Sequence, residues 1–404
     1  LVGDEKLRKP PEEWEECKLI DIIELRYGKG LIGQDRKNGN IPVYGSNGII
    51  GYHNKYLVKG PGIIIGRKGS VGEIKYSPLD FFPIDTTYYV SPKKEIDIKY
   101  MYYFLLTLCL DEMNSHSAVP GLNRSNVHSL NIIIPPLPEQ RKIADILETA
   151  DEAIEKTDVI IEKYRRIQQG LMQDLLTKGI DEKGQIRNED THKFKDSPLG
   201  RIPEEWEVVR LQEAVIRSFS GGTPNRENPE FFNGTIKWLK SGEISTKYIY
   251  NTEEKITLKG FKLSGSKYIT KDSVVIALYG ATAGQTGIVK EKMTMNQAVL
   301  ALACNKTKTH YEYLYYHLRF RVPKILAQLQ GSGQPNLNKE IVDNSLIPLP
   351  PLLEQHRIAS ILSQIDEVIE KEERYKEKLE RIKQGLMQDL LTGKVRVNHL
   401  IEEF

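Results

Sequence analysis

The chain has 404 residues, 39% hydrophobic and 28% charged, enough for two or three cored domains and too balanced for a disordered or fibrous protein. Its 57 lysines and arginines stand against 55 aspartates and glutamates, so it carries no uniform basic field of the kind that marks a wholly cationic nucleic-acid binder. Cys17, Cys109 and Cys304 are far apart with no Cys-x-x-Cys, which argues against a disulfide framework and a cysteine zinc site.

In chain order, Leu1-Val-Gly-Asp-Glu-Lys6 has no apolar signal core, and the expected location is the cytoplasm. The longest apolar runs, such as Ile63 to Ile65 and Val274 to Leu278, fall far below the roughly 20 residues that span a bilayer. Pro11-Glu-Glu-Trp-Glu15 then opens a first module rich in tyrosine, glycine and short polar residues, with turn-like stretches at Tyr44-Gly-Ser-Asn-Gly48 and Thr86-Thr-Tyr-Tyr89. Ile63-Ile-Ile-Gly-Arg-Lys-Gly-Ser-Val-Gly72 reads as a strand running into a glycine-rich turn. A long helix follows Pro135-Pro-Leu-Pro138: the next 35 residues and more lack proline. Apolar positions fall at Ile143, Leu147, Ala150, Ile154, Thr157, Ile161, Tyr164, Leu171 and Leu175, in steps of three and four interrupted only by polar Gln168, which is a coiled-coil seam.

After the helix the pattern returns. Pro203-Glu-Glu-Trp-Glu207 echoes the first opening, and Val274-Val-Ile-Ala-Leu-Tyr-Gly-Ala-Thr-Ala-Gly284 repeats the strand-into-glycine design, so the two modules are expected to share a fold. The second helix carries Ile358, Leu362, Ile365, Ile369, Leu379, Ile382, Leu386 and Leu390 on its seam, with a weaker middle around Glu372 to Lys376. Between Pro135 and Thr177, 27 of 43 residues equal those found 215 positions later, and Gln169 to Thr177 recurs unchanged as Gln384 to Thr392. The intervening modules share little sequence. Two equal helices, each with one apolar seam, are expected to pair antiparallel, because a module's length of chain returns between them.

Charge is divided along the same lines. Residues 1–134 hold 17 basic and 16 acidic side chains and 181–349 hold 24 and 19, while the helical segments 135–180 and 350–404 hold 7 and 9, then 9 and 11. Basic excess therefore sits in the modules, at Arg26 to Lys75 and Lys237 to Lys271, where it suits phosphate contacts, while the neighbouring tyrosines, amides and hydroxyls suit base edges. Solvated faces and ordinary turns are the competing account of both features.

Enzyme signatures are missing. The glycine loops lack the Gly-Lys-Ser/Thr of a nucleotide cradle, and the Pro-Pro pairs lack the preceding Asn or Asp of an adenine methyltransferase. Asp85 with Asp97-Ile98-Lys99 is too common a pattern to indicate a nuclease, the eight histidines show no metal spacing, and Glu139 and Glu354 sit at helix starts, where a carboxylate serves as cap or dipole partner.

The duplicated Pro-Glu-Glu-Trp-Glu, Pro-Pro-Leu-x-Glu-Gln-x-x-Ile-Ala and Gln-Gly-Leu-Met-Gln-Asp-Leu-Leu-Thr motifs, set around two dissimilar modules, resemble the DNA specificity subunit of type I restriction-modification systems over nearly the whole chain. Ser220-Gly-Gly-Thr-Pro224, Ile236-Lys-Trp-Leu239, Met295-Asn-Gln-Ala298 and Gly331-Ser-Gly-Gln-Pro-Asn-Leu337 are further family-like stretches. In the first module Tyr27-Gly-Lys-Gly30 and Val119-Pro-Gly-Leu-Asn123 stand in place of the first and last of these, which would match Asn123 with Asn336.

The resemblance implies an α+β chain: two mixed α/β target recognition domains alternating with two long helices that pair as an antiparallel coiled coil in a pseudo-twofold repeat. Its boundaries would be a first recognition domain at 1–134, a first repeated helix at 135–180, a linker and second recognition domain at 181–349, and a second helix with tail at 350–404. Each module would read one half of a bipartite site in double-stranded DNA while the helices set the spacing and dock methyltransferase subunits. The chain would catalyse nothing and bind no cofactor or metal. S-adenosylmethionine, ATP and magnesium would serve partner modification and restriction/translocase subunits. Expected DNA contacts are Lys29, Tyr44, Ser46, Asn47, Arg67, Lys68, Ser70, Thr87 and Asn123, then Thr223, Lys240, Ser241, Tyr279, Thr282, Gln285, Gln297, Gln334 and Asn336. The alternative of another class is a coiled-coil protein-interaction adaptor without DNA binding.

Overall fold

The computed structural model describes residues 11–113, 121–329 and 336–401. It forms two compact units, Leu1–Val159 with Glu373–Phe404, and Ile160–Glu372. Both long helices, Leu137–Leu175 and Leu352–Leu391, cross this boundary, so each unit owns the first half of one helix and the last half of the other.

Within each unit the two half-helices pack antiparallel, as the duplicated seam requires. In the first unit Lys383 meets Asp151 at 2.5 Å and Lys376 meets Asp158 at 2.7 Å, so seven residues forward on one helix match seven back on the other. In the second, Gln168 bonds Asp366. The apolar seam is buried at Ile143, Leu147, Thr157, Ile161 and Leu175, and at Ile358, Leu362, Ile369 and Leu390. The polar break at Gln168 is itself buried and satisfied by Asp366, so it fixes register instead of interrupting the seam. Ile382 departs from expectation: it is 45% exposed, and neighbouring Lys383 turns to the partner helix to reach Asp151.

The modules share a plan, as their matching turns suggest. In the first, an antiparallel sheet orders Ile23–Tyr27, Thr87–Pro92, Gly62–Gly66 and Ile74–Ser77, and Ile41–Gly45 pairs in parallel with Phe82–Pro83. In the second the same order appears as Val215–Ser220, Val299–Cys304, Val274–Ala277 and Thr286–Val289, and Phe232–Leu239 pairs in parallel with Met293–Met295. Short strands at Tyr248–Ile249, Lys255–Ile256 and Tyr268–Ile269 are added in the longer second module. The apolar runs Ile63–Ile65 and Val274–Leu278 are buried throughout because their strands lie inside the sheets.

The duplicated motifs bind each module to its helix start. Glu139 accepts the Trp14 indole at 3.1 Å and the Arg396 guanidinium at 2.7 Å; Glu354 accepts the Trp206 indole at 3.2 Å and Arg187 at 2.5 Å. These glutamates are buried ion-pair centres, a role the helix-start position alone does not reveal. Gln140 and Gln355, next in the motif, each donate to the proline carbonyl five residues back and accept a backbone amide opening the module's packed helix, Asp97 and His310 respectively.

Candidate nucleic-acid interface

The strand-into-glycine turns form the tip of each module. Gly66 to Gly72 closes through Gly72 N–H to Gly66 C=O at 2.9 Å, and the equivalent closure in the second module runs from Gly284 N–H to Ala277 C=O at 2.8 Å. Gly69, Gly72, Gly280 and Gly284 all have φ between +78° and +87°, the left-handed region that glycine enters without strain.

Around the first tip the backbone gathers several of the expected residues. Arg67 and Lys68 donate their amides to Thr86, Lys29 donates to Pro83, and a Cβ on Gly69 would lie 3.0 Å from the Ser46 hydroxyl. Lys29, Asn47 and Lys68 are exposed, and Ser46, Arg67 and Ser70 are half-buried. Two expected residues point inward. Tyr44 packs with Ile64 and Phe81 in a small core, and Thr87 is buried with its hydroxyl donating to the Ile84 carbonyl at 2.7 Å. Asn123 is exposed, and its side chain accepts Ser125 N–H to cap the helix Arg124–His128.

Residue-type reasoning passes over the centre of this face. The Tyr27 ring, 51% exposed, has the Arg67 guanidinium 5.1 Å and the Arg124 guanidinium 5.2 Å from its centroid. Tyr27 also touches Tyr88, and burial together with the Tyr27 hydroxyl pushes the Tyr88 phenol up to about 12. Arg124 donates to the Leu25 carbonyl at 3.3 Å, while Arg67 Nε is sealed with no partner among the described residues. No carboxylate pairs with either arginine among the described residues. Aromatic interleaving of Tyr27 with Arg67 is visible in sequence only once the strand register brings residues 27, 67 and 124 together.

The second tip is chemically different. Tyr279, Gln285 and Gln297 are exposed, Thr282 and Ser241 are half-buried, and Thr223 donates to Gln297. Lys240 is held by Glu253 at 3.1 Å and Glu254 at 3.0 Å, so its charge is locally neutralised. Of the lysines between 237 and 271, Lys237, Lys247 and Lys259 are likewise paired, with Glu291, Glu312 and Glu230. Four of the eight lysines counted from sequence are therefore paired within the module, while exposed Lys255, Lys262, Lys267 and Lys271 have no carboxylate partner among the described residues. Burial pulls the Lys247 ammonium below its ordinary range despite Glu312 and Asp366 beside it. Gln334 lies outside the described residues.

Backbone bonding gives the residue correspondence between modules. Leu122 N–H donates to Arg67 C=O at 3.0 Å and Leu337 N–H to Leu278 C=O at 2.7 Å, after which Asn123 and Asn338 each cap a short helix. Asn123 thus matches Asn338, two positions beyond the expected Asn336, which is exposed. Lys29 N–H to Pro83 C=O matches Gly222 N–H to Met295 C=O, so Tyr27-Gly-Lys-Gly30 does replace the Ser220-Gly-Gly-Thr223 stretch. In the acid-x-Lys triplet that is too common to indicate a nuclease, Asp97 caps the helix Ile98–Leu106 and Lys99 pairs with Glu148.

Among the described residues no helix is long and apolar enough to cross a membrane, and no group of three or more metal-ligating side chains is found. The family model described as the type I restriction modification DNA specificity domain matches residues 11–163 and 203–381. The chain is 31% identical over 312 residues to the putative type I restriction enzyme MjaX specificity subunit of Methanocaldococcus jannaschii, covering 76% of this chain and 70% of that one. It is 28% identical to the type I restriction enzyme MjaVIII specificity subunit of the same organism, covering 96% and 95%. The type I restriction-modification S subunit from M. genitalium has a similar fold, with a TM-score of 0.65, 16% identity, and coverage of 95% of this chain and 97% of that one. The chain belongs to the type I restriction-modification DNA specificity family.

Proposed function

We propose that the chain is the sequence-reading subunit of a type I restriction-modification complex, in which each module reads one half of a bipartite DNA target. The observation that carries this reading is the pairing of one shared module plan with two unlike tips, one with two arginines over a tyrosine ring, the other rich in hydroxyls and amides. Two unlike readers joined by paired helices select two unlike half-sites at a fixed helical phase. The helices also dock methyltransferase subunits, which use S-adenosylmethionine. Restriction/translocase subunits act through the same complex with ATP and magnesium. The chain itself performs no chemistry and works in the cytoplasm.

Lys29, Ser46, Asn47, Arg67, Lys68, Ser70 and Asn123 make the first module's contacts; Thr223, Ser241, Tyr279, Thr282, Gln285, Gln297, Gln334 and Asn336 make the second's. The buried Tyr44 and Thr87 and the ion-paired Lys240 support the loops without reaching DNA. The test is a salt series of duplex binding by the chain assembled with its modification subunits, with Arg67→Ala alongside. Binding should fall steeply with salt, and the variant should weaken it or relax one half of the target; binding of no duplex at any salt favours a protein-interaction adaptor instead.

A further inference from the structure

The two tips differ at one place in the fold, and the difference has a recognisable chemistry. By their backbone bonding, Tyr27, Arg67 and Arg124 of the first module match Ser220, Leu278 and Lys339 of the second, where Lys339 is neutralised by Asp343. The second module keeps the same strand order and the same capped helix without an arginine pair or an aromatic ring at these positions. The cluster is therefore not demanded by the fold.

Its restriction to one module suits a base edge better than a phosphate. An arginine fork fits both, but phosphates are common to both half-sites whereas the arginine pair occurs in the first module alone, where exposed Lys29 and Lys68 already supply charge for the backbone. Arg67 and Arg124 both lie over the Tyr27 ring at cation–π distance, with Arg67 Nε buried and Arg124 tied to the Leu25 carbonyl, which restricts both side chains and lowers the entropy lost on forming a two-pronged hydrogen bond. In the major groove the matching edge is guanine, with O6 and N7 as adjacent acceptors. We propose that the first module reads a guanine with the guanidinium pair held on Tyr27, Arg67 being the principal reader, and that the second module has no equivalent contact. This inference rests on the DNA-reading function proposed above.

Two measurements on the complete complex with its modification subunits test it. In the first, each guanine of the bipartite target is replaced in turn by 7-deazaguanine, which lacks N7, and duplex affinity is measured for the unaltered protein. One guanine, in one half-site, should cost about tenfold, the loss expected when a two-pronged contact is left with a single acceptor. If every replacement leaves affinity unchanged while the duplex still binds specifically, the guanine assignment is wrong and the broader reading survives; if the unmodified duplex does not bind, the broader reading fails. In the second, the methylated motif is determined for cells carrying Arg67→Lys, which keeps the charge and removes the fork. Relaxation at that guanine, with the other half-site unchanged as an internal control of folding, supports the proposal. An unaltered motif means that charge alone suffices, and overturns it.

Discussion

Glu139 and Glu354 occupy equivalent repeat positions, yet their surroundings differ enough to separate them by experiment. Glu354 serves the Arg187 guanidinium, the Trp206 indole and the Ile180 amide, with the arginine side chain only 9% exposed. Arg396, opposite Glu139, is 23% exposed and bonds a second carboxylate, Glu13, at 2.8 Å, whereas the second carboxylate near Arg187, Glu205, stands 4.0 Å away. Removing one partner of a buried pair strands the other, so Glu354→Ala should destabilise by about 3–5 kcal/mol, and Glu139→Ala by less, as read from chemical unfolding of the two variants. Equal losses would contradict this. Histidines make the second unit acid-sensitive. Burial lowers His317 to about 3, and burial with the adjacent His356 lowers His310 to about 4. The folded state then binds fewer protons than the unfolded state below the ordinary value of 6.5, so stability is full above that pH and declines as pH falls toward 4. Neither ring nitrogen of His317 has a partner among the described residues. His317→Leu should flatten the decline in a melting series from pH 7 to pH 4. Residue types are poor guides to which candidates face outward: Tyr44 sits in a glycine-rich stretch and Thr87 in a polar, turn-like one, but strand pairing turns them into the interior.

At the scale of elements, the long helices are legible because their information is local and written twice. Proline stops, a three-four seam and nine consecutive identities need no knowledge of distant residues. What is not legible depends on contacts across the chain. Lys240 reads as a free cation unless Glu253 and Glu254, 13 and 14 positions on, are placed beside it. Matching Asn123 to Asn336 misses by two because sequence spacing in a loop does not show which leucine bonds the strand end. The helix register makes its own prediction. Four residues inserted into both long helices would lengthen them by ~6 Å, so the gap between methylated half-sites should grow by about two base pairs. A methylome with an unchanged gap would show that the helices do not set the spacing.

For the whole molecule, the charge balance of 57 against 55 conceals partners found at short range, since the second module commits several lysines to its own carboxylates. Lys29 and Lys68 in the first module have no carboxylate partner among the described residues, so replacing both with glutamine should shallow the salt dependence of duplex binding by up to about two logarithmic units of slope. Chain order adds a constraint of another kind. The second unit is one continuous stretch, 160–372, whereas the first packs Trp14 and Leu147 together with Leu390, Leu391 and Val397. On the ribosome, the first module therefore waits for residues that follow the whole second unit: its apolar face stays uncovered until the chain beyond residue 372 is made, and translation stopped after residue 372 would yield a finished second module and an unfinished first one.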